Sequence, residues 1–376
     1  MRILIAPNAF KNSIDAVGAA LAIEEGFRQS DLKATCIRMP VADGGDGTLG
    51  VLHHISPFEI IEQQVKGPYG NPVPASWGWI ENTKTAVIEM AEASGLKRAD
   101  VLPYDPAKAN TYGCGELLSA ALGHGARRVI IGLGGSATID AGLGFVQAMG
   151  AVLFDSSGAE VGQDGNPLLS ACSMDISALT AALKDIELIA LVDVDNPLTG
   201  ADGAVAVFGP QKGARAEQLP LLENAMQRYA GLLGQFGGPD AAVIAGGGAA
   251  GGFGATLAVL CGGRLERGAE YLMDMQGFDD ALGQCHLVVT AEGKADGQSI
   301  RGKGPAAVAQ RAAAMGKPVL LLAGMVEYGD AIDELYTAAF SICNGPKTME
   351  ESISSTDEDL RRTAREIGNL LALGVM

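Results

Sequence analysis

Histidine is scarce in this chain, four residues in 376, and none of His53, His54, His124 and His286 stands in a motif, so a Ser-His-Asp arrangement has no candidate. Cysteine is sparse as well. Cys36, Cys114, Cys172, Cys261, Cys285 and Cys343 are scattered with no CxxC pair, in or beside apolar stretches, and read as buried reduced thiols that suit the cytoplasm. Positive charge is in deficit: 27 Lys and Arg face 44 Asp and Glu, a formal net charge of −17, which repels nucleic acid and anionic membrane surfaces. A small anionic substrate therefore needs a local cationic pocket. No apolar run approaches the roughly 20 residues that span a bilayer, and the run at the start is too short for a signal peptide, so neither export nor anchoring is expected. Low-complexity linkers, long charge runs and internal repeats are absent too.

What is present is apolar mass and glycine. With 48% hydrophobic and 19% charged residues, a chain of this length can fill two cores, and two domains are expected. Glycine, 52 residues, runs at about twice ordinary usage without periodicity, which reads as turns bringing backbone close to something. Short apolar runs recur at 2–6, 35–39, 85–90, 128–133, 186–192, 286–290, 319–323 and 338–342. Between most of them lie alanine-rich helical patterns, such as 115–122, 217–233 and 305–315. β-branched runs alternating with helices predict an α/β chain with parallel sheets covered on both faces.

Ligands of such sheets sit beyond the carboxyl ends of strands, so the residues after each run are the candidates. After the first come Asn8, Lys11 and Asn12: Lys11 is placed to pair with a phosphate or carboxylate, or is a solvated lysine before a helix capped by Ser13. After the second, VADGGDGT at 41–48 puts Asp43 and Asp46 in one glycine-rich turn, where amides can approach an anion while carboxylates hold Mg²⁺, the alternative being a plain helix-capping turn. The run ending at Leu133 leads into Gly134, Gly135, Ser136 and Thr138 and then a helical stretch, a site for phosphate or carboxylate at a helix N-terminus, or else an ordinary capped loop. It is not the G-x-x-x-x-G-K-[ST] pattern. Asp193 ends the fifth run, as a general base or metal ligand or as a turn cap, and Lys212 follows in GPQKG. The densest glycine cluster, with Gly246, Gly247, Gly248, Gly251 and Gly252, reads as a phosphate cradle. Its alternatives are close helix packing and a dinucleotide fold, the latter disfavoured by the missing strand and acidic partner. Glu292, Lys294, Asp296, Arg301 and Lys303 crowd one further strand end, as a functional cluster or as a solvated loop with internal ion pairs.

In order along the chain, VADGGDGT at Val41, AVIEMAEASGL at Ala86, TYGCGEL at Thr111, GGSAT at Gly134, DVDNPLTG at Asp193, FGPQKGA at Phe208, GAAGGFGA at Gly248 and EGKADGQS at Glu292 resemble the type-1 glycerate kinases of bacteria. The resemblance implies two α/β domains: a flavodoxin-like, doubly wound parallel sheet built from both chain ends (1–91 and 285–376), and an inserted α/β domain (92–284). It implies transfer of the ATP γ-phosphate, with Mg²⁺, to D-glycerate, most often at the 2-hydroxyl. In this assignment Asp193 is base or metal ligand, Asp43 and Asp46 help hold Mg²⁺, and Lys11 and Lys212 neutralise phosphate or carboxylate charge. Asn8 and the 134–138 and 246–254 loops hold anions, and Glu292 and Asp296 order the cleft. The chain departs from the family's pattern at Asn8 and Ala9, where an acid and a serine are usual, at Asn12, at Ile139 for Asn, and at Ala141 and Ala291 for Gly. Rival readings are a non-catalytic small-anion sensor and a dehydrogenase. The sequence does not decide between monomer and homodimer.

Overall fold

A computed structural model describes residues 1–99, 103–296 and 304–374. In chain order the strands are β1 (Arg2–Ile5), β2 (Thr35–Arg38), β3 (Glu59–Lys66), β4 (Pro72–Ile80), β5 (Thr85–Glu89), β6 (Arg128–Gly132), β7 (Val152–Phe154), β8 (Ser173–Asp175), β9 (Glu187–Val192), β10 (Arg264–Arg267), β11 (Leu287–Ala295), β12 (Val319–Val326) and β13 (Ala338–Ser341). All eight apolar runs are strands. The chain folds as two compact units: Met1–Asp43, Gly50–Ser56 and Gly268–Met376 form one, Gly44–Leu49 and Pro57–Arg267 the other.

The first unit carries a five-stranded sheet, β13-β12-β11-β1-β2, parallel throughout. Numbered within the unit this is the order 2-1-3-4-5 of doubly wound flavodoxin-like sheets, with its switch point between β1 and β11. Alternation along β1 serves two cores, Ile3 and Ile5 on one face and Leu4 on the other, all fully buried. The helix Ala16–Arg28 starts where Asp15, not Ser13, accepts the amide of Gly18 at 2.6 Å. Ser13 Oγ instead donates to the carbonyl of Ile353.

The second unit holds a six-stranded sheet, β10-β9-β6-β5-β4-β3, in which β10, β9, β6 and β5 are parallel and the β4–β3 hairpin antiparallel. The expected division at 91/92 and 284/285 differs from these units. β3, β4 and β5 are hydrogen-bonded into the sheet of β6, which draws residues 57–91 into the second unit, and the chain returns at 267/268. Its core gathers on Trp77, Phe145 and Phe253, with the two phenylalanine rings 4.7 Å apart; each such side chain contributes about 1.5–3 kcal/mol on burial. Cys114, Cys261 and Cys285 are buried as expected, but Cys36 and Cys343 are only half-buried and Cys172, just before β8, is exposed. No helix among the described residues is long and apolar enough to cross a membrane.

Candidate active site

In the first unit the sheet's switch point brings Asn8 beside β11, its amide donating to the carbonyl of Ala291 at 2.8 Å. Asn8 Oδ1 accepts the amide of Ala9 at 2.8 Å, a local turn that positions the residue without an acid. The Phe10–Ile14 bridge closes a tight turn that leaves Lys11 exposed, with Asn12 at φ +62°. Gly293 follows Glu292 on β11, and a Cβ there would lie 3.7 Å from the Lys11 amide, so the Lys11 turn and the Glu292 strand end are neighbours. Glu292 is buried in β11, and Lys294 pairs with Asp296 at 2.9 Å and with Glu327 at 2.8 Å. Gly297, Gln298, Ser299, Arg301 and Lys303 lie outside the described residues. Four candidates, Asn8, Lys11, Glu292 and Asp296, therefore share one sheet edge.

In the second unit the carboxyl ends of β5, β6 and β9 carry Glu89, the 134–138 segment and Asp193. The glycine-rich turn of Asp46 is pinned there. The Gly134 amide donates to the Gly44 carbonyl at 3.0 Å, and a Cβ on Gly134 would sit 2.3 Å from Gly45 Cα, which only glycine permits. Glu89, buried at the end of β5, accepts the amides of Gly47, at 3.4 Å, and Leu49. Burial pushes its carboxyl up to about 7, against the pull of those two donors. Asp46 pairs with Lys97 at 2.8 Å.

The 134–138 segment is not a free helix N-terminus. The helix that follows, Leu143–Ala148, starts later, and its leading amides are already met by a carboxylate of the chain itself. Asp140, fully buried, accepts from the amide and hydroxyl of Thr111 at 2.8 Å each, from Gly144 at 3.1 Å and from Gly142 at 3.2 Å. Burial raises its carboxyl and these donors oppose that; donors alone around both oxygens suit the ionised form. Ile139, where the family pattern has an amide, is core.

Lys212, expected as an open cation, is 3% exposed. Its Nζ donates to Ser136 Oγ at 2.6 Å and to the Thr138 carbonyl at 2.8 Å, and burial lowers its pKa to about 7 against the opposing charge of Asp140. Thr138 Oγ1 is buried without a hydrogen-bond partner among the described residues.

The glycine cluster differs most from expectation. Gly246, Gly247, Gly248, Gly251 and Gly252 are buried, and the amides of Gly247, Gly248 and Gly252 are spent on the carbonyls of Ile244, Asn196 and Gly248. The smallness of these residues serves close packing: a Cβ on Gly251 would stand 2.2 Å from the Thr138 carbonyl. The 246–254 cluster thus braces the 134–142 segment instead of offering those three amides to an anion. Glu89 and Thr111 lie inside the quoted sequence blocks, and Asp140 lies two residues past the block that ends at Thr138. Their roles escaped sequence reasoning because a buried carboxylate is recognised by its donors, which come from segments distant along the chain.

Beyond this geometry stand the likenesses to known proteins. The model of the glycerate kinase family matches residues 3–372. The chain belongs to the glycerate kinase family. It is an enzyme, a kinase. Curated relatives include a glycerate kinase of Bacillus subtilis (strain 168), 42% identical over 99% of this chain and 98% of its own length. Another is a glycerate 2-kinase of Escherichia coli (strain K12), 40% identical over 100% and 99%. Among solved structures, one described as glycerate kinase 2 from Salmonella typhimurium LT2 superposes with a TM-score of 0.84 at 41% identity, covering 100% of this chain and 99% of that one. The dehydrogenase and sensor readings give way to the kinase.

Proposed function

We propose that the kinase transfers the γ-phosphoryl group of ATP to D-glycerate, at the 2-hydroxyl, to give 2-phospho-D-glycerate. The observation that carries this reading is the full-length likeness to the Escherichia coli glycerate 2-kinase, 40% identical over 100% of this chain. Phosphoryl transfer asks mainly for positioning and charge neutralisation, which strand-end carboxylates, lysines and rigid glycine turns supply.

Asp193, at the carboxyl end of β9, takes the proton of the glycerate 2-hydroxyl as that oxygen forms its bond to the γ-phosphorus and the bond to the β-phosphate bridging oxygen breaks. Lys11, on the sheet edge that carries Asn8, Glu292 and Asp296, meets phosphate or carboxylate charge. An ammonium has three hydrogens, and two of those on Lys212 already hold Ser136 and Thr138, so Lys212 orients that segment and adds positive potential where the anion lies. In this reading Gly134, Gly135 and Ser136 bind substrate or phosphate.

Mg²⁺ typically keeps several waters and takes one or two carboxylates besides phosphate oxygens. Asp43 and Asp46, on the glycine-rich turn, are carboxylate oxygen donors of the kind this ion takes and would hold it. When bound, the ion neutralises phosphate charge. Incubation with D-glycerate, ATP and Mg²⁺ should release ADP, and enolase added alone should then act on the product at once. ADP release without the enolase signal would move the reaction to the 3-hydroxyl, and no release would remove glycerate as acceptor.

A further inference from the structure

The loop that carries Ser136 and Thr138 is held from two sides by buried charges of opposite sign. From one side Lys212 Nζ binds Ser136 Oγ and the Thr138 carbonyl. From the other, Asp140, two residues on, gathers the hydroxyl and amide of Thr111 and the amides of Gly142 and Gly144. Thr111 Oγ1 also accepts the amide of Phe145 at 2.9 Å, so the carboxylate joins the start of the helix Tyr112–His124 to the start of Leu143–Ala148. A lysine ammonium so nearly sealed from water is costly unless a negative charge compensates it. Among the described residues Asp140, fully buried two residues past the Thr138 carbonyl that Lys212 holds, is placed to supply it.

We propose that Asp140 is a positioning residue for phosphoryl transfer that acts through Lys212, its buried carboxylate keeping the Lys212 ammonium charged and the 136–144 backbone fixed. The proposal rests on the reading that Lys212 serves the transfer as a cation. The other titratable groups that sense Asp140 are Cys114, from the helix Tyr112–His124, and Tyr229, from Leu219–Leu233. Burial raises the pKa of both, so both are neutral near pH 7 and cannot replace its charge. An arginine at 212 would stay charged without help.

The test titrates the lysine ¹³Cε signals of the full-length protein by NMR, with Lys212 identified by the signal lost in Lys212→Arg. In Asp140→Asn the Lys212 inflection should fall by about one pH unit or more, and the alkaline limb of kcat/KM for D-glycerate should move down by the same amount. Equal inflections in the two proteins would overturn the proposal. Should Asp140→Asn not fold, Lys212→Arg decides: its alkaline limb should vanish, and an unchanged limb would overturn the proposal. Absence of D-glycerate-dependent ADP release in the wild type would instead sink the glycerate reading, and the NMR titration would then decide the Asp140–Lys212 coupling by itself.

Discussion

The amide of Ala141 donates to the carbonyl of Gly251 at 3.1 Å, and Ala141 does so from a left-handed backbone with φ +54°. The same residue's carbonyl accepts the hydroxyl of Thr256, which is paired with Tyr229. Two segments that look like separate anion loops in sequence are thus one braced structure. The family pattern has glycine at 141, and the positive φ explains why: left-handed backbone costs a non-glycine residue about 1–2 kcal/mol.

Ala141→Gly should therefore stabilise the protein, by up to about 1 kcal/mol once glycine's greater unfolded-state entropy is subtracted. Gly251→Ala should do the opposite, since its methyl would meet the Thr138 carbonyl at 2.2 Å from a φ of +70°. Chemical denaturation with an unchanged m-value checks both. A stabilising Gly251→Ala would refute the brace.

Asp193→Asn should lower kcat by roughly a hundred-fold or more while leaving the thermal midpoint within a few degrees, as expected for a general base at a strand end. Steady-state kinetics beside a melting curve decide it. A near-normal kcat would take Asp193 out of the mechanism.

Glu89 gives a pH signature with a defined sign. Its folded carboxyl is raised to about 7 from 4.5, so between those values the unfolded chain has lost a proton that the native state keeps. Stability from this group is present below about pH 4.5 and declines as pH rises to 7, by at most roughly 3 kcal/mol. The stability of wild type relative to Glu89→Gln should fall across that window. A difference flat in pH would mean that Glu89 is ionised throughout.

Lys97 offers a milder test at the glycine-rich turn. Its pair with Asp46 is about two-thirds exposed on the lysine side, so its loss should leave stability within about 0.5 kcal/mol. If Asp46 helps hold Mg²⁺, Lys97→Met should lower the Mg²⁺ concentration for half-maximal rate a few-fold. A higher requirement would remove Asp46 from the metal site.

Every parallel strand but β10 was legible, because buried runs such as 128–133 and 186–192 are mostly apolar. β3 and β4 were not: EIIEQQVK mixes polar and apolar residues on a half-exposed hairpin, and β4 opens on a proline. β10, RLER, is a charged edge strand, the composition that protects an edge from further pairing. At the candidate site, the places of Lys11 after β1 and of Asp193 after β9 were readable from the apolar runs that precede them. The burial of Lys212 was not, because local sequence does not say whether a lysine after a glycine turn faces water or the interior. The packing role of Gly248 and Gly251 was hidden for a related reason: backbone packed against backbone and backbone packed against phosphate ask for the same missing Cβ.

The central claim, transfer to the 2-hydroxyl of D-glycerate, is tested most directly by the ¹H–³¹P coupling of the purified product. The account predicts a phosphate ester whose phosphorus couples to the single methine proton at C2. Coupling to the two methylene protons at C3, or no new phosphate ester at all, would contradict it.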